Sequence, residues 1–143
     1  MAGRVYGAEQ ERSNQRELTG RRHEHAYALA QLVRQARSSV AESFELKDEP
    51  ARLTRNDATK TAIELRRIAG ELEKAPVFDD RSTAIKTRLI ELINKRAKSF
   101  DEATNDRMIA AAASADLEAF VAAFKDFSEW ESNAAQEFDR LER

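Results

Sequence analysis

From Val77 to Arg143 the chain contains neither glycine nor proline. Sandwiches, barrels and βαβ folds need turn residues at short intervals, so nearly half of the chain is closed to them. The same stretch is rich in Ala, Glu, Lys, Leu and Arg, with apolar residues spaced by three and four, which reads as helix following helix. The whole chain of 143 residues carries only 4 Gly and 2 Pro. All-α is the expected fold class, in a single domain over 1–143.

The breakers that do occur divide the chain. Ala8 to His25 is nearly all polar, with Leu18 its only large apolar residue, and it opens the first helix. Leu29, Leu32, Val33, Ala36, Val40 and Phe44 then form an apolar stripe. Lys47-Asp48-Glu49-Pro50 ends it, because proline cannot continue the hydrogen-bond ladder. Thr54 with Asp57 three residues on is a variant capping box for a second helix. Its stripe is Ala58, Ala62, Leu65, Ala69 and Leu72, flanked by Ile63 and Ile68 and closed at Pro76.

Asp79, Asp80 and Ser82 are candidate caps for a third helix. Its stripe is Ile85, Leu89, Leu92, Ile93, Phe100 and Ala103, reaching Met108 and Ile109. A restart at Ser114, with Asp116 as a further cap, lets the chain reverse into a last helix. That helix carries Leu117, Phe120, Val121, Phe124, Phe127, Ala134, Phe138 and Leu141, and holds four of the 7 phenylalanines. Helices are therefore expected at about 8–46, 54–75, 80–112 and 115–142. Short connections make an antiparallel up-down-up-down four-helix bundle with a long, polar-started first helix the expected architecture. Such a rod is roughly 30 to 45 Å long and has both termini at one end.

Bulk composition narrows the partners. Lys+Arg 24 against Asp+Glu 26 leave a formal charge of -2, so no broad positive field is available for nucleic acid. The longest nearly apolar stretch, Met108 to Ala113, is far shorter than the roughly 20 residues that cross a bilayer. Met1 to Gln10 lacks the basic and apolar segments of a secretory signal. A cytosolic protein or an excised domain is expected on these grounds. With no cysteine, disulfides and thiolate metal ligands are out.

No catalytic constellation emerges. His23 and His25 are the only histidines, and at i,i+2 on a helix they point about 200° apart, so they cannot share a metal. A di-iron bundle needs Glu-x-x-His on two helices, which this chain cannot supply. His23-Glu24 matches only two letters of the histidine-kinase phosphoacceptor motif, followed here by Ala26, Tyr27 and Ala28. Leu89 to Ala97 is similar to the first helix of helical chorismate mutases, over that one helix only. Glycine-rich phosphate loops, Gly-x-Ser-x-Gly and His-Glu-x-x-His are absent. The expectation is no enzyme, no metal and no cofactor.

Binding is the remaining opening. Arg34 and Arg37, with Ser38 and Ser39 beside them, lie in the half of the first helix away from the joint termini, and an arginine fork suits a carboxylate. The last helix offers Ser128, Ser132 and Asn133, and Tyr27 and Trp130 are candidate aromatic walls. The bland alternative is a solvated face with pairs such as Glu17/Arg21 and Glu91/Lys95.

Over about 8–142, the helix order, the polar-started first helix and the small-residue turn Ala112-Ala113-Ser114-Ala115-Asp116-Leu117-Glu118-Ala119 resemble the extracytoplasmic four-helix-bundle sensor domains of bacterial chemoreceptors and related sensor kinases. The resemblance implies a homodimer formed along the first helix, with termini continuing into membrane helices outside this chain. It also implies a small-molecule ligand held at the distal half by first-helix arginines and last-helix polar residues. Arg34, Arg37, Ser38, Ser128 and Ser132 are the positions that match those roles, in a periplasmic part of an inner-membrane receptor. The spacing differs from that family and the last helix lacks threonine. A free-standing cytosolic helical adaptor, acting through a helix face, is the second expectation.

Overall fold

The computed structural model describes residues 2–45 and 55–142. Five helices occupy them: α1 (Ala2–Glu45), α2 (Arg55–Lys74), α3 (Asp80–Glu102), α4 (Asp106–Ser114) and α5 (Leu117–Glu142). No strand occurs among the described residues, and the all-α expectation holds. The expected stop at Lys47 to Pro50, the end of the first stripe at Leu46 and the Thr54 cap lie outside the described residues.

The four long helices meet on one core. Leu29, Val33, Ala36 and Val40 of α1 pack with Leu65, Ile68 and Leu72 of α2, Leu89, Ile93 and Phe100 of α3, and Phe120, Phe127 and Trp130 of α5. These are the stripes expected from the three-and-four spacing. Each such side chain contributes about 1.5–3 kcal/mol when fully buried, so the stripes are what hold the helices together. Ile63 and Val121, placed on or beside those stripes by spacing, are instead exposed. Trp130, expected as a wall of an intersubunit site, is buried at 4% exposure.

The expected third helix over 80–112 is two helices. Ala103 leaves α3 in extended conformation, and Asn105 caps α4 by accepting from the Met108 N–H at 2.9 Å. Asp106 in the first turn of α4 adds a favourable charge at its N-terminus. Arg55 donates to the carbonyls of Asp101 and Ala103, which would otherwise be orphaned where α3 ends. High alanine content after the break hides it in a propensity reading, whereas Thr104-Asn105-Asp106 carries the signal.

Caps fix the other joints. Asp79 caps α3 in a reciprocal box with Ser82, at 2.6 Å from its N–H. Asp116 sits in the turn between α4 and α5 with φ 57, a left-handed conformation that aspartate tolerates better than most residues. Ser114 does not restart the last helix: its hydroxyl donates back to the Ala110 carbonyl at the end of α4.

Named pairs locate the helices relative to each other. Along α1 and α5, Arg22 meets Glu137, His23 stacks on Phe138 at 4.2 Å, and Arg34 meets Glu131 at 3.4 Å. Between α2 and α3, Arg66 pairs with Asp101, and Lys86 donates to the Glu73 carbonyl at 2.8 Å. Between α3 and α5, Arg81 pairs with Asp126 at 2.7 Å. α1 spans Ala2–Glu45, about 65 Å at 1.5 Å per residue.

Candidate functional site

The most unusual group in the molecule is a buried guanidinium. Arg96 of α3 is 2% exposed, and it follows Ile93 by three and precedes Phe100 by four, which puts it on the core stripe. Its Nη1 donates to the Ala113 carbonyl at 2.7 Å and to Ser43 Oγ at 3.1 Å, and its Nη2 donates to the Ala115 carbonyl at 3.1 Å. The guanidinium carbon lies 4.9 Å from the centre of the Phe120 ring. Burial pulls the Arg96 pKa down to about 10, opposed by the nearby Asp116 carboxylate, so the group stays charged at neutral pH. Its Nε has no hydrogen-bond partner among the described residues.

Arg96 therefore holds the end of α4 and the turn into α5. Cationic donors there are favoured, because the last carbonyls of a helix have no partner within it and carry partial negative charge. Lys95 adds to the same clasp from the surface, 3.1 Å from Asp116. On the α1 side Ser43, also buried, donates to its own Val40 carbonyl at 2.9 Å while accepting from Arg96.

Ser43 is also the floor of a groove between α1 and α2. Ser39, Glu42, Asp57, Lys60, Thr61 and Glu64 complete its walls, around a volume of about 200 Å³. The groove continues, past the shared Ser39, Glu42 and Glu64, into a wider depression of about 440 Å³ that reaches Arg34, Ser38 and Arg67. Arg67 donates to Glu64 at 2.7 Å, and this bond holds the Glu64 carboxyl below its ordinary pKa. Arg67 also reaches Gln35 of α1 at 3.3 Å, tying the two walls together.

The five residues expected to bind ligand are spread over separate surfaces. Arg34 and Ser38 line the α1–α2 groove. Ser132 lies instead in a pocket between α1 and α5, with His23, Tyr27 and Glu131. Arg37 and Ser128 are exposed. The Arg34–Glu131 ion pair spans from the groove to the pocket. Ser43 and Arg96 were missed by sequence reading, although their stripe positions mark both as core-facing polar residues.

Toward the start of α3, Asp79 Oδ2 accepts from the Trp130 indole N–H at 2.9 Å. Partial burial pushes the Asp79 carboxyl up, but hydrogen bonds from Ser82 and Trp130 and the Arg22 charge outweigh it, leaving the pKa below its ordinary value. Phe78 lies beside Trp130 with ring centres 5.4 Å apart, and Arg22 stands 5.5 Å over Phe78. The two histidines face different neighbours: His23 stacks on Phe138, and His25 tilts against Phe78. Among the described residues no group of three or more His, Asp or Glu side chains is placed to hold a metal ion. No described helix is long and apolar enough to cross a membrane.

No family model, curated protein or solved structure matches this chain.

Proposed function

We propose that this chain is a ligand-sensing helical bundle, which binds a small molecule in the α1–α2 groove and passes the event to α5. The observation that carries the reading is the unbroken line of hydrogen bonds from the groove floor at Ser43, through Arg96, to the Ala113 and Ala115 carbonyls that lead into α5. A ligand that engages Ser43 changes the partners of Arg96, and Arg96 is what holds the α4–α5 turn. The shift obtainable equals the difference in ligand affinity between the two arrangements.

In this reading α1, α2, α3 and α5 run up-down-up-down. The order of the pairs supports it: going forward on α1 from His23 to Arg34 goes backward on α5 from Phe138 to Glu131. Likewise Glu73 of α2 meets Lys86 of α3, while the earlier Arg66 meets the later Asp101. Arg34 and Arg67 are the forks for a carboxylate ligand, which would take the places now held by Glu131 and Glu64. The module would work as a homodimer, as the extracytoplasmic part of a membrane receptor whose membrane helices lie outside residues 1–143.

A second reading, a helical adaptor, is favoured by Ile63, a large apolar side chain left 63% exposed on α2. The two readings separate in one experiment, a thermal-shift screen of small carboxylates. Selective binding to the native state raises the midpoint. The sensor reading expects at least one carboxylate to raise it, and Arg34→Ala to remove the rise. A folded protein that responds to none of them, or an Arg34→Ala variant that responds fully, contradicts it.

A further inference from the structure

The pocket between α1 and α5 differs in charge from the α1–α2 groove: the groove mixes Arg34, Lys60 and Arg67 with Glu42, Asp57 and Glu64, whereas the carboxylate lining this pocket is Glu131. Ala26 and Ala135 leave a depression of about 290 Å³ between the two helices. His23 forms one wall, its ring held flat by stacking on Phe138 at 4.2 Å with 19° between the planes. One turn further along α1, Tyr27 stands 63% exposed at the rim. The polar lining from α5 is the Glu131 carboxylate and the Ser132 hydroxyl, and neither Lys nor Arg lines the pocket. Glu131 is engaged by Arg34 at 3.4 Å, a long contact between partly exposed side chains.

We infer that this pocket binds a small organic cation that carries an aromatic or methylated face. Aromatic faces attract such cations through their quadrupole, and an apolar floor accepts the part of the ligand that water solvates poorly. The Glu131 carboxylate supplies the opposite charge and Ser132 a further acceptor. A carboxylate ligand would meet Glu131, whose Arg34 partner lines the groove rather than this pocket. The assignment does not rest on the sensor reading, although the two share the Arg34–Glu131 pair: a carboxylate would take Arg34 from it, and a cation would take Glu131.

The test is calorimetric titration of the full chain with phenethylamine, against 3-phenylpropionate as the same ring carrying a negative charge. At about pH 8 the amine remains protonated. Phenethylamine is expected to bind saturably, and 3-phenylpropionate at least about tenfold more weakly. Glu131→Gln should weaken phenethylamine about tenfold, the effect of losing one hydrogen bond to a charged group. Tyr27→Ala should weaken it about threefold, as for a cation over an exposed ring. Arg34→Ala, which removes the internal partner of Glu131, should tighten it by up to about threefold, whereas the sensor reading expects the same variant to lose carboxylate binding. Absence of saturation by phenethylamine, equal binding of 3-phenylpropionate, or an unchanged affinity in Glu131→Gln overturns the assignment.

Discussion

Arg96 and Asp79 lie at opposite ends of α3 and solve the same problem with opposite charges. Asp79 precedes the helix and its carboxylate accepts from the Ser82 N–H in the first turn; Arg96 lies in its last third and donates to the Ala113 and Ala115 carbonyls at the end of the neighbouring α4. Both follow the helix dipole, anion at an N-terminus and cation at a C-terminus. They differ in depth. Asp79 remains exposed, and its hydrogen bonds leave its pKa below the ordinary value. Arg96 is sealed from water, and desolvation wins, so its pKa falls to about 10. A charge at the rim of the core strengthens a cap, whereas a charge inside it specifies which parts of the chain must come together.

That difference predicts a ranking of effects. The largest is Arg96→Ala, which leaves the Ser43 hydroxyl and two carbonyls without their donor and opens a cavity against Phe120. It should lower stability by about 3 kcal/mol or more in urea unfolding. A loss below about 1 kcal/mol would mean that water enters and replaces the guanidinium. Asp79→Ala removes a cap and the indole partner, and should cost about 1–2 kcal/mol with a change in Trp130 fluorescence.

Acid sharpens the same contrast. The folded-state pKa of Asp79 is depressed, so its contribution is present above the unfolded pKa and lost as pH falls through the folded one. The gap between Asp79→Ala and the parent chain in acid unfolding should therefore begin to narrow only below about pH 4, the ordinary aspartate range, and close as pH falls through the lower folded-state value. The Arg96→Ala deficit should persist there, since the guanidinium stays protonated throughout. Smallest is Gly70→Ala in α2, where an added Cβ meets open space. It should stabilise by about 0.5–1 kcal/mol through helix propensity alone.

The two ends of α3 were not equally legible. Asp79 and Ser82 announce themselves, because a cap is local chemistry read within four residues. The apolar stripes were legible for the same reason, as was the division of the chain at Pro76. Arg96 sits within Lys95-Arg96-Ala97, where its charge suggests a solvated face, and only its spacing from Ile93 and Phe100 points inward. Its partners Ser43 and Ala113 are distant in sequence, so no local pattern brings them together. The break at Ala103 was hidden because the alanines beyond it favour helix whether or not a turn intervenes. The five residues proposed for a ligand shared helices rather than a surface, and spacing along separate helices does not specify which faces meet.

Arg96 joins the α1–α2 groove to the α4–α5 turn. That connection is tested most directly by Ser43→Ala, which alters the groove floor and removes one Arg96 partner while leaving the turn itself untouched. Hydrogen exchange at the amides of Ala115, Asp116 and Phe120, compared between variant and parent, is the measurement. Exchange there should be faster in the variant, together with a loss of about 1 kcal/mol in global stability. Exchange at the turn that rises no more than elsewhere in the molecule would contradict it.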